Sequence, residues 1–212
     1  FREVVTAHYE DDHLNADARL RLGTVHHMLS ELPEARARYE EALPLYRAIG
    51  AKLGQANCIS SLGDVSLDES DFASAIRSYE EALAIRRSIS PADEAAALNP
   101  LAIAYEKQKN YPQAIEIYTR ALELFSDHAF IRRNRANLYL KLKDAANAAR
   151  DIEAAARLQP DNAYLFLRRG ELAILLGQYA EAVAHFRVAL EHYPRMNDAH
   201  FGIGLARLRA GQ

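Results

Sequence analysis

The sequence predicts an all-α protein, a solenoid of antiparallel helix pairs, and three observations carry that expectation. The stretch Ser61 to Arg87, SLGDVSLDESDFASAIRSYEEALAIRR, sets small residues and one ring at fixed distances: Gly63, then Ala75, Tyr79 and Ala82. The same constellation returns at Gly23, Ala35, Tyr39 and Ala42, and at Ala102, Ala114, Tyr118 and Ala121. It returns again at Ala136, Ala148, Ile152 and Ala155 and at Gly170, Ala182, Phe186 and Ala189, and Gly204 opens a sixth copy. The leading small residues step by 40, 39, 34, 34 and 34 positions, a length that suits one helix pair per copy.

Helix geometry explains the spacing. Ala75 and Tyr79 are four apart and Tyr79 and Ala82 three apart, so they share one helix face. Gly63 belongs to an earlier helix, across the polar stretch Asp68-Glu69-Ser70-Asp71. A small residue on each of two helices lets them approach closely, and the ring covers the seam. Each pair leaves an apolar face for the next pair to cover, which is what makes a solenoid.

Taken in order, residues 1–15 are expected to be the end of a preceding repeat or a leading helix, with a short helix from Phe1 to about His13. Residues 16–212 are expected to be the array: five full repeats plus the first helix of a sixth. The helix pairs are expected at about 16–29 and 33–48, 53–67 and 71–88, 91–108 and 111–125, 128–142 and 145–158, and 162–176 and 179–192. A last helix is expected at 196–209, about twelve helices in all. Pro33 suits a first helical turn, where its missing N–H costs little, whereas Pro44 should loosen the end of its helix. Gly50 and Gly177 are stop signals and Asp71 is an N-cap candidate. Ser90 before Pro91 starts another helix, with Asp93 and Glu94 near its positive end. Pro100 lies deep inside that helix, where a lost hydrogen bond costs about 3 kcal/mol and should bend the axis. The final helix leaves an apolar face bearing Phe201, Leu205 and Leu208.

The composition is that of a soluble helical protein, 50% apolar and 26% charged over 212 residues. Its longest apolar runs fall far short of the ~18 residues of a membrane span. No basic-then-apolar leader opens the chain, and the lack of an initial Met suggests a fragment or a processed chain. The single Cys58 excludes an intramolecular disulfide and fits a reducing compartment, so the cytoplasm is the expected location. Residues 1–94 hold 10 Lys+Arg against 17 Asp+Glu, a net of −7, and residues 95–212 hold 16 against 12, a net of +4. Such asymmetry suits a charge-sensitive partner, though drift among solvated faces also produces it.

The chain carries no phosphate-binding loop, dinucleotide fingerprint, nucleophile elbow or H-E-x-x-H zinc motif, so no catalytic residue, cofactor or metal is expected. Cys58 has no neighbouring His and reads as a packing residue. His26 and His27 are adjacent and point in different directions on a helix. His8 and Asp12 are an i,i+4 pair, too few ligands for a structural metal site. The densest basic feature is Arg132, Arg133 and Arg135, with Arg168 and Arg169 one repeat later. Phosphate binding is its sharper reading, but the mildly acidic chain and sparse aromatics argue against nucleic acid.

Leu62-Gly63, Ala75, Tyr79 and Ala82, with Pro160 and Pro194 closing two later repeats, resemble the tetratricopeptide repeat family over about residues 16–212. The longer early repeats resemble those of kinesin light chains and of arrays attached to bacterial NB-ARC-type ATPases. The resemblance implies a right-handed superhelix in which the first helix of each repeat lines a concave groove. Asn134, two residues before Ala136, matches the Asn that holds a bound peptide's backbone. Arg168, in the same phase, matches the Arg of the carboxylate-clamp subgroup, while Asn99, Ile103 and Tyr164 replace that subgroup's Lys, Asn and Lys. The expected peptide site is therefore Phe130, Arg133, Asn134, Asn137, Tyr164 and Arg168. Its amides suit backbone, its guanidinium groups suit carboxylates and its rings suit apolar side chains. The implied function is a protein-interaction scaffold for a peptide or helical segment, acidic or C-terminal, with no membrane partner. The alternative is a sensor or autoinhibitory arm of a larger signalling ATPase or other enzyme.

Overall fold

The computed structural model describes residues 2–211, with side chains from Asp11 onward. Among them are eleven α-helices and no strand: α1 (Arg2–Met28), α2 (Leu32–Ala48), α3 (Lys52–Asp68), α4 (Phe72–Arg87), α5 (Pro91–Lys107) and α6 (Tyr111–Leu124). There follow α7 (Ala129–Lys141), α8 (Ala145–Leu158), α9 (Ala163–Leu175), α10 (Tyr179–His192) and α11 (Asn197–Arg209). The chain divides into two compact units, Phe1–Asn110 with α1–α5 and Tyr111–Gln212 with α6–α11.

In the first unit α1 packs on α2 and α3 on α4, and the pairs meet through α2 and α3. The constellation read from sequence is the core: Ala35, Tyr39 and Ala42 on α2 and Ala75, Tyr79 and Ala82 on α4 are all buried. The rings do cover the seams. A methyl added to Gly23 would lie 2.6 Å from the Tyr39 ring, and one on Gly63 would lie 2.8 Å from Tyr79. The Tyr79 hydroxyl donates to Asp64 at 2.6 Å, and the Tyr46 hydroxyl donates to Asp17. Burial pushes both phenols and the Asp64 carboxyl above their ordinary ranges. Cys58 is fully buried, and desolvation pushes its thiol up to about 12, as befits a packing residue.

In the second unit α7 pairs with α8 and α9 with α10, and α11 packs on α10. Ala114, Tyr118 and Ala121, Ala148, Ile152 and Ala155, and Ala182, Phe186 and Ala189 are buried at 0–1% exposure. Caps set the helix starts. Asp144 accepts from the Asn147 N–H at 3.1 Å and Asn162 from that of Tyr164 at 3.0 Å, as Asp71 and Ser90 do for Ser74 and Asp93 in the first unit.

Two expectations are corrected. The break near Asn15 is absent, since α1 runs unbroken from Arg2 to Met28, and this accounts for eleven helices rather than twelve. No proline precedes Pro33 and no glycine precedes Gly23, so nothing in Asp11–Asn15 opposes helix strongly. Leu205 is half-buried, leaving Phe201 and Leu208 as the exposed apolar residues of α11. The helix expected at about 91–108 runs from Pro91 to Lys107 and carries Pro100 inside it. His8 and its contact with Asp12 lie outside the described side chains, whereas His26 and His27 diverge as expected, to Glu31 and to Asp68.

The turn inside each helix pair holds a feature the sequence hid. Ser30, Ser70, Lys109, Lys143, Gly177 and Gly211 follow the repeat step, and every one has φ between 60° and 76°. The first five end their helices with paired backbone bonds, as where Lys143 N–H reaches Leu140 and Asp144 N–H reaches Tyr139. Only Gly177 and Gly211 have the side-chain-free backbone that this conformation favours. Lys143→Gly should therefore raise stability by about 0.5–1 kcal/mol. A urea midpoint at or below the parent's would contradict this.

Candidate peptide-binding site

Helix α7 buries Ala129, Ile131, Ala136 and Leu138, which leaves Phe130, Arg133, Asn134 and Asn137 at i, i+3, i+4 and i+7 on another face. Helix α9 buries Ala163, Leu165, Leu167, Gly170 and Ala173, leaving Tyr164 and Arg168 one turn apart. The two helices touch, and the faces converge on Arg133. Its guanidinium carbon lies 4.8 Å from the Phe130 ring centroid and 5.1 Å from that of Tyr164. Both rings remain open to solvent, at 40% and 45% exposure. Burial and then the neighbouring charge of Arg168 pull the Arg133 pKa down from its ordinary value, so an anion here would relieve an unfavourable charge.

The other predicted residues are held more tightly than the sequence suggested. Arg168 donates to Glu171 at 2.6 Å, and its Nε is buried without a partner. Asn134 donates to the Tyr118 hydroxyl at 3.5 Å, and Asn137 is half-buried. The rest of the basic cluster turns inward. Arg135 grips Asp151 with two bonds of 2.7 and 2.8 Å, and Arg132 reaches the same carboxylate at 3.6 Å. Arg169 lies over the Phe166 ring, 5.5 Å from its centroid.

Sequence profiles described as tetratricopeptide repeat match residues 14–88, 61–129, 133–194 and 176–212. The chain belongs to the tetratricopeptide repeat family. This tetratricopeptide array is 24% identical over 185 residues to DnaJ homolog subfamily C member 3 of Gallus gallus, covering 86% of this chain and 37% of that protein. It is 38% identical over 84 residues to Hsc70-interacting protein 1 of Drosophila melanogaster, covering 40% of this chain and 22% of that protein. The array thus spans well under half the length of either relative. A solved tetratricopeptide repeat protein from Parabacteroides merdae superposes with a TM-score of 0.77 at 18% identity, covering 92% of this chain and 73% of that one. That likeness concerns the all-α solenoid fold. No helix among the described residues is long and apolar enough to cross a membrane.

Within the tetratricopeptide array, the fold brings Phe130, Arg133 and Tyr164 together and sets Arg168 near them, with Asn134 beside Tyr118. Sequence reasoning missed Asp151, Glu171 and the turn after α10. A signal existed for Asp151. Arg135 and Asp151 are sixteen apart, as are the adjacent pair Ala136 and Ile152, and the repeat places such residues opposite each other across a helix pair. Tyr193 gave no such signal, because it lies in a turn outside any helical period.

Proposed function

We propose that this tetratricopeptide array is a protein-interaction scaffold, without catalytic chemistry of its own, that takes a carboxylate-bearing peptide across α7 and α9. The observation that carries the reading is Arg133 set between two exposed rings. Held close to both Phe130 and Tyr164, the guanidinium carries the fork of N–H donors that pairs with a carboxylate from an acidic segment or a C-terminus. Asn134 supplies an amide for peptide backbone, and Arg168 a second charge, tempered by Glu171. Residues 16–212 act as the array, five repeats and the first helix of a sixth, with residues 1–15 as a leading segment. The name of Hsc70-interacting protein 1 supports partner recognition over a regulatory arm of a larger ATPase. The buried, protonated Cys58 suits the cytoplasm.

The test is fluorescence polarisation with labelled acidic hexapeptides bearing free or amidated C-termini. Losing a partly desolvated charged hydrogen bond costs about 1.5–3 kcal/mol, so Arg133→Ala should weaken binding about ten- to hundredfold. Arg168→Ala should lose less, since Glu171 already shares that charge. Asn134→Ala should weaken free and amidated peptides alike, and Glu81→Ala in the other unit should change neither. Full-strength binding by both Arg133→Ala and Asn134→Ala would remove the site from this face.

A further inference from the structure

The contact that fixes Arg133 does not end at Tyr164. The Tyr164 ring meets the ring of Tyr193 at a centroid distance of 5.9 Å, and Tyr193 is 55% exposed. Beside this pair opens a cavity of about 450 Å³ lined by Tyr164, Tyr193, Pro194, Arg195 and Met196. The lining is a proline, a thioether and two ring faces, with one cation, Arg195, at its wall. Such a surface favours a bulky apolar side chain, desolvated against rings and sulfur, on a ligand that carries negative charge.

We propose that this cavity is a specificity subsite for a bulky aliphatic or aromatic side chain of the same peptide whose carboxylate sits on Arg133. The inference rests on the carboxylate reading above and adds the partner's second determinant. The shared ring sets the register. Tyr164 lies 5.1 Å from the Arg133 guanidinium carbon and 5.9 Å from the Tyr193 centroid. The Arg133 guanidinium carbon and the Tyr193 ring are thus no more than about 11 Å apart, or roughly three residues of extended chain at ~3.3–3.6 Å each. The recognised element is an apolar residue within three positions of a carboxylate, in a peptide that runs past the N-terminal turns of α7 and α9 toward the turn before α11. The charge agrees, since Arg195 lines the cavity and Arg133 and Arg168 lie on the adjoining helices, with Glu171 paired to Arg168.

The experiment uses the 212-residue chain and labelled glycine–serine peptides that end in a free aspartate, with one upstream position varied among alanine, leucine and phenylalanine. Leucine or phenylalanine two or three residues before the carboxylate should bind roughly tenfold tighter than alanine, and the gain should vanish at five or more residues. Tyr193→Ala, which removes an exposed ring, and Met196→Trp, which fills the cavity, should each collapse the leucine-to-alanine affinity ratio toward unity. If every peptide binds equally and in an Arg133-dependent manner, the subsite is wrong and the carboxylate reading stands. If no peptide binds, both fall. If a labelled single-stranded oligothymidylate binds this face and displaces the peptides, the rings serve base stacking and the proposal is overturned.

Discussion

Asp151→Asn should lower the free energy of unfolding by about 3–5 kcal/mol, because it strands two arginines around a buried site. Asp151 is 1% exposed and accepts from Arg135 Nε and Nη2 at 2.7 and 2.8 Å, while Arg132 Nη1 approaches to 3.6 Å. The same arginines hold the rest of the junction. Arg135 Nη1 donates to Thr119 Oγ1 on α6 at 2.8 Å, and Arg132 donates twice to the Ser126 carbonyl, at 2.9 and 3.1 Å. One carboxylate therefore ties α8 to α7, and through α7 to α6 and the loop after it. Its neighbourhood raises the Arg135 pKa, through the bond to Asp151 first. Removing one charge leaves the other buried and unpaired, which costs far more than a surface pair is worth. Urea unfolding of parent and variant, with equal denaturant slopes, gives the difference. A loss below about 1 kcal/mol would mean that the carboxylate's charge does not hold this junction. Replacing Asp151 and Arg135 together by leucine and methionine should recover much of the loss, since the penalty belongs to the orphaned charge.

This junction also marks where the sequence could and could not be read. Burial of small residues and rings follows from periodicity, and the five copies place Ala35, Ala75, Ala114, Ala148 and Ala182 in the core without further information. Charge has no such period. Arg132, Arg133 and Arg135 look alike in the sequence, yet two of them point at Asp151 and only Arg133 faces the open rings. What separates them is the partner across the helix pair, visible only after the residues sixteen positions away are set opposite. The turn conformations were hidden for a related reason. Ser30, Ser70, Lys109 and Lys143 occupy the position of Gly177, but nothing in a serine or lysine announces a left-handed backbone. The candidate site was legible as to α7 and α9 and silent on Tyr193, because helical phase stops at the helix end.

Phe186→Ala should cost about 3–5 kcal/mol, as for other fully buried rings, and should cost it at two interfaces at once. The ring is wholly buried on α10, and a methyl on Gly202 of α11 would sit 2.5 Å from it. A methyl on Gly170 of α9 would meet the same ring more closely still. Both neighbouring helices thus come against the ring where they lack a side chain, and its removal leaves a cavity that neither glycine can fill. Gly170→Ala alone should cost about 1–3 kcal/mol by overpacking. In the Phe186→Ala background the same methyl enters empty space, so its cost should fall to near zero or become a gain, a coupling of about 1–3 kcal/mol. Thermal or urea unfolding of the four proteins measures it, and additive losses would show that the ring does not set the α9 approach. The consequence reaches the proposed binding face. Tyr164 and Arg168 stand on α9, whose opposite side the ring supports, so the folded fraction of Phe186→Ala should bind peptide more weakly than the parent. Arg133 and Phe130, both on α7, should keep their mutual contact, so a residual Arg133-dependent affinity separates a loosened α9 from a lost site.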